Sequence, residues 1–188
     1  RSSAASDVYK RQMYILSVIL FLLLGGFLLL AAMRFGVPSM VSDVYYQLQN
    51  CTGSEVIGDK RKRNYGWVFT AVMVTCAVLM MVCILDTGKG VQCLAFIGCV
   101  GLMFVGFAPN YLDKDDHPIH KVGALVAATG CVGWCLSACW VPTAILAFIY
   151  LLLINNADDD GECKPVLYMA EVAGFLDVFL TYWVIICV

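Results

Sequence analysis

Residues 122–154 read VGALVAATGCVGWCLSACWVPTAILAFIYLLLI, thirty-three positions without a charged side chain. One α-helix of that length would rise about 50 Å at 1.5 Å per residue. That overshoots the roughly 30 Å hydrocarbon core of a bilayer. The stretch therefore reads as two helices, at about 120–138 and 142–154, joined by a tight turn within 137–143. Pro142 supports the break, because it has no backbone N–H and fits the first turn of a helix. Trp134 and Trp140 suit the level of the membrane interface. A single kinked helix is the rival reading, and it would lower the number of spans from six to five.

Four more apolar runs flank this one, at about 13–33, 67–85, 91–107 and 166–188. The turn DTGKG ends the second and Ala108-Pro109-Asn110 closes the third. Hydrophobic residues make up 61% of the chain and charged residues 14%. Soluble domains average roughly 45–50% apolar and about 25% charged. The expected fold is an all-α integral membrane bundle of six transmembrane helices, one transmembrane domain over 13–188 without a soluble domain. The lipid bilayer is its first partner. No basic, aromatic-rich stretch points to nucleic acid. No P-loop, GxSxG or HExxH motif is present.

The first twelve residues stand apart. Ser2–Gln12, SSAASDVYKRQ, matches the translation of a transposase-type sequencing-library adapter. Residues 1–12 are therefore read as a non-native scar, with Met13 as the expected native start. A signal peptide is the alternative, but the apolar run is long for one and no A-x-A-like cleavage site follows. Removing Arg1, Lys10, Arg11 and Asp7 takes the formal net charge from −2 to −4.

The scar also bears on orientation. With six spans, the first, third and fifth connectors share one side of the membrane. They carry Arg34, Lys60, Arg61, Lys62, Arg63, Lys114, Lys121 and Lys164, against Lys89 alone on the other side. Basic residues near span ends mark the cytoplasmic face. The odd connectors are expected in the cytoplasm and both termini outside. Lys60–Arg63 then reads as a topology anchor, with anionic headgroups as a lesser role.

Ionisable residues inside a span are costly and usually functional. Only the last span holds them, at Asp177 near its middle and Glu171 six residues earlier. On a helix these project about 120° apart and about 9 Å along the axis. They suit neighbouring faces of a polar intramembrane site, with His120 at its mouth. The competing reading is a pair of acids that only fix packing. A second cluster, Asp113, Asp116, His117 and His120, leads into the fourth span. Histidine and carboxylate side chains bind transition metals, so a divalent metal is conceivable there, although no cofactor is predicted. A solvated helix entrance is the simpler explanation. After the first span, Ser39 or Ser42 is expected to cap a short interfacial helix, with Tyr45 and Tyr46 at headgroup level.

Ten cysteines are present, with no C-x-x-C pair. Gly123, Ala127, Cys131, Cys135 and Cys139 recur every fourth residue. A stripe of small side chains lets helices approach closely in lipid. Cysteine inside a span behaves as a small apolar residue.

The stretch GLMFVGFAPNYLDKDDHPIHKVGALVAATG, at 101–130, is similar to a pattern in bacterial six-span membrane proteins of the uncharacterised DUF998 group and the related Frag1/DRAM/Sfk1-type proteins. There a span breaks at a proline, a polar loop follows, and a histidine opens the next span. The resemblance implies a six-helix bundle of a bacterial inner membrane and little about activity. It singles out His120, with Pro109 as the break. Membrane hydrolases that hold zinc with three histidines are excluded, since the chain has two.

No reaction is disclosed. The leading expectation is a non-enzymatic membrane protein with a polar intramembrane site, in its most concrete form one that couples protons to movement of a small solute or lipid. The alternatives are a metal- or acid/base-assisted lipid hydrolase using 113–120, and a structural or partner-binding bundle.

Overall fold

The computed structural model describes residues 2–49, 65–109, 118–155 and 165–187, with side chains from residue 8 onward. The described residues form helices and their connections, as expected. The helices are α1 (Ser2–Phe35), α2 (Asp43–Gln49), α3 (Gly66–Asp86), α4 (Gln92–Phe107), α5 (Pro118–Ala138), α6 (Trp140–Asn155) and α7 (Val166–Cys187). Val8–Phe35, α3, α5 and α7 are long and apolar enough to cross a membrane. α4 and α6 are apolar but only 16 residues each, a rise of about 24 Å. Six spans were expected; four have crossing length, and the other two are matched by shorter helices.

α1 starts at Ser2 and passes Met13 without a break. The proposed scar contains no glycine or proline to stop a helix. Gly36, at φ 84°, turns the chain out of α1, a backbone conformation that glycine adopts without a steric penalty. Residues 36–42 then run across the end of the bundle to α2.

The α3–α4 turn is built as its residues suggest. Thr87 Oγ1 donates to Ile84 O at 2.7 Å, closing the last turn of α3. Gly88 and Gly90 take positive φ. The exposed carbonyl of Lys89 accepts the Trp134 indole N–H at 3.0 Å, and Val91 N–H donates to Ser137 Oγ at 2.9 Å. This turn and the end of α5 are thereby clamped together. Trp134 is fully buried with its one donor satisfied, which is how a large indole is held in a core.

α4 and α5 pack with their backbones in contact. A Cβ on Gly98 would lie 2.6 Å from Cys131 N, and one on Gly101 would lie 2.6 Å from Ala127 N. Gly130 returns the contact from α5, with 2.6 Å to Gly98 Cα. Gly123, Ala127 and Cys131 from the four-residue stripe stand at this seam. Small residues on both helices let main chains meet and dispersion contacts accumulate.

The rival readings of 122–154 separate here. α5 ends at Ala138, where Cys139 N–H still donates to Cys135 O at 2.9 Å. Pro142 cannot supply the bond that would continue α5. α6 then runs back along α7: Thr143 meets Asp177, and Tyr150 Oη donates to Val166 O at 3.2 Å. α5 runs the other way, with Cys135 beside Thr181 and His120 near the start of α7. The two helices form a hairpin around Cys139, within the expected turn. α1 is antiparallel to α7, with Trp183 Nε1–H donating to Ser17 Oγ at 2.9 Å and Phe21 against Phe179.

The six long helices therefore alternate in direction. At one end lie the α1–α2 linker and the start of α7. The α3–α4 turn and the α5–α6 hairpin lie at the other. The core is apolar and continuous, around Leu20, Phe69, Met73, Ile84 and Tyr182. Tyr45, expected at headgroup level, is only 3% exposed. It packs over Gly66, where a Cβ would come within 2.5 Å of its ring. The absent side chain of Gly66 makes the slot that draws the tyrosine inward.

Candidate functional site

Five helices, α1, α3, α4, α5 and α7, line a central cavity of about 320 Å³. Most of its wall is apolar, including Leu24, Met73, Met80, Leu102, Phe175 and Phe179. Three thiols, Cys76, Cys99 and Cys131, join that wall. Cys99 and Cys131 are in hydrogen-bonding contact, brought together by the glycine seam. Polar side chains gather at one end, where Ser42, His120 and Glu171 line the space.

That end is held by the α1–α2 linker. Glu171 Oε2 accepts the Val41 backbone N–H at 2.5 Å. Tyr168 N–H, in the open first turn of α7, donates to Ser39 O at 3.0 Å. Asp43 accepts from Ser39 Oγ, and from Met40 N–H at 3.1 Å. Of the two serines expected to cap α2, Ser39 donates to Asp43 and Ser42 stands directly before the helix. The linker amides of Met40 and Val41 find side-chain acceptors, which a backbone in an apolar environment requires. Within the linker, Val41 and Ser42 are buried and form the floor of the cavity.

Asp177 has a different neighbourhood. It is 3% exposed and is not among the described residues lining the cavity. Thr143 Oγ1 donates to its two oxygens at 2.8 and 3.1 Å, and Thr181 Oγ1 to Oδ1 at 3.4 Å. The 120° offset between the two acids therefore sends Glu171 to the linker and cavity, and Asp177 to the α6 interface. His120 and Glu171 come together around one space; Asp177 stands apart from them.

Asp113, Asp116 and His117 lie outside the described residues, as do Lys60, Arg61, Lys62 and Arg63. Among the described residues no three His, Cys, Asp or Glu side chains gather as a metal site needs. His120 shares the cavity with one carboxylate, Glu171.

Sequence reasoning missed the floor of the cavity and the partners of Asp177. Thr181 was detectable, since it follows Asp177 by four residues on one helix face. Ser42 and Val41 carried no such signal, because a linker folding over a bundle end leaves no periodic trace. On the outer face, α4 and α5 form a second hollow of about 430 Å³, lined by apolar side chains such as Phe96, Phe104 and Val122. Among the described residues it holds no group able to orient a ligand. Comparison with protein-family models, curated proteins and solved structures finds no match for this chain.

Proposed function

We propose that the chain crosses a bacterial inner membrane six times and holds a single-chain, lipid-like amphiphile in its central cavity, passing it between the bilayer and one membrane face. The carrying observation is the division of the cavity: an apolar body lined by five helices, and a polar end made by Ser42, His120 and Glu171. Sites of this kind, mostly apolar with a few convergent polar groups, are where small ligands bind. The alternating directions of the six helices support the six-fold crossing. α4 and α6 are short for a full hydrocarbon core, and local thinning of the bilayer accommodates such helices at modest cost.

The orientation follows from charge. Arg34 and Lys121 belong to the bundle end that carries the linker, and Lys89 to the opposite end. The connectors bearing Lys60–Arg63, Lys114 and Lys164 join helices at that first end. Lysine and arginine are retained in the cytoplasm, so the polar mouth faces inward. Coupling to protons rests on Glu171 in this reading, since it is the acid at the cavity. Protonating it would weaken its hold on Val41 N–H and loosen the floor. Asp177 serves packing between α6 and α7.

Gly174 makes the proposal testable. It lines the cavity, and a Cβ there would meet nothing within 4 Å. Native mass spectrometry of protein in mild detergent should show a retained amphiphile. Gly174→Phe fills the space, so it should abolish that adduct while the protein stays monodisperse. Equal retention by both proteins would remove the cavity from consideration.

A further inference from the structure

We infer that the cavity selects a long-chain amine, a single-chain amphiphile whose head is a primary ammonium. The inference rests on the cavity reading above and adds the chemistry of the head group. Among the described residues that line the cavity there is no lysine or arginine. The polar end offers a carboxylate at Glu171, an imidazole at His120 and a hydroxyl at Ser42. Glu171 uses Oε2 for Val41 N–H. An ionised carboxylate accepts through both oxygens, which leaves Oε1 as an acceptor for an ammonium. Neutral imidazole and serine hydroxyl oxygen also accept. An ammonium group supplies three donors and no acceptor, so it complements the Glu171 carboxylate at this end.

An anionic head fits poorly. A carboxylate or phosphate beside Glu171 would set like charges together where little water screens them. Among the described lining residues there is no lysine or arginine to offset that repulsion. A neutral hydroxyl head is tolerated, but it lacks the charge-assisted bond to Glu171.

The dimensions select one chain. Glu171 and Phe179 mark the polar and apolar levels of the cavity on α7, eight residues or roughly 12 Å apart. That is close to the length of an extended decyl-to-dodecyl chain. A volume of about 320 Å³ is on the scale of one such chain. Met73, Met80, Phe175 and Phe179 supply a deformable apolar sleeve for the tail.

The experiment compares dodecylamine, dodecanol and dodecanoate at equal concentration, each added to the full chain in mild detergent and read as adducts by native mass spectrometry. The amine should be retained about tenfold more than the alcohol, the gap between a charged and a neutral hydrogen bond. The acid should be retained least. Glu171→Gln keeps an acceptor for Val41 N–H and should bring amine and alcohol level. Gly174→Phe, with Ala124→Leu as a second filling variant, should lose all three. Retention of dodecanoate equal to or above dodecylamine overturns the amine inference and leaves the cavity reading standing. Retention of all three unchanged in both filling variants overturns the cavity reading and the inference with it.

Discussion

Asp177 and Glu171 show how neighbouring positions on one helix acquire different tasks from their surroundings. Asp177 accepts two threonine hydroxyls inside a dry interface. Asp177→Asn keeps one acceptor oxygen, so it should lower stability by no more than about 1 kcal/mol and leave amphiphile retention unchanged. Asp177→Leu removes every acceptor and should cost about 1–3 kcal/mol, the range for stranding buried donors. Denaturant unfolding in detergent, read beside adduct mass spectrometry, checks both; a loss of ligand in Asp177→Asn with full stability would assign that residue to binding after all. Glu171→Ala acts elsewhere. It strands Val41 N–H, so hydrogen exchange at 40–42 should accelerate while the amides of α3 keep their protection. Unchanged exchange at 40–42 would mean that the linker is held without Glu171.

The seam between α4 and α5 has the least tolerance among the elements. Gly98 and Gly101 sit where a Cβ would enter the backbone of the other helix, and a helix main chain cannot yield as a long side chain can. Gly98→Val and Gly101→Val should each destabilise by about 3 kcal/mol or more, at the upper end of overpacking effects. The measurable outcome is loss of the monodisperse peak on size exclusion. Gly26 supplies the contrast, with nothing within 4 Å of an added Cβ. Gly26→Ala should be neutral or raise stability by up to about 1 kcal/mol through helix propensity alone. Equal effects at Gly26 and Gly98 would dismiss backbone contact as the reason for glycine at the seam.

At the scale of the molecule, the alternation of helices places every basic connector except the Lys89 turn at one end. A periplasm-dependent phosphatase inserted after Lys89 should be active, and one inserted after Lys121 silent. The reverse pattern would invert the bundle and turn the polar mouth outward. Activity at both sites would break the alternation itself and remove the six-fold crossing.

Much of this architecture was legible in the order of residues. Long uncharged runs can only be helices in lipid, because every backbone donor must be satisfied within its own segment. Glycine-rich DTGKG marks where a helix stops and Pro142 the first turn of a new one, and α3 and α6 follow both marks. The small-residue stripe from Gly123 pointed to a close helix contact for a reason of volume alone. Which helix receives a stripe, and which side chains share a space, is not periodic information. It depends on contacts between residues far apart in the chain, such as Val41 with Glu171 and Ser17 with Trp183. Asp177 and Glu171 looked alike as acids in one apolar helix; packing alone sent one to the α6 interface and the other to the cavity. Local propensity determined the helices and their ends. Only the tertiary structure decided that His120 and Glu171 line one cavity, because that requires α5, α7 and a folded linker to come together around one volume.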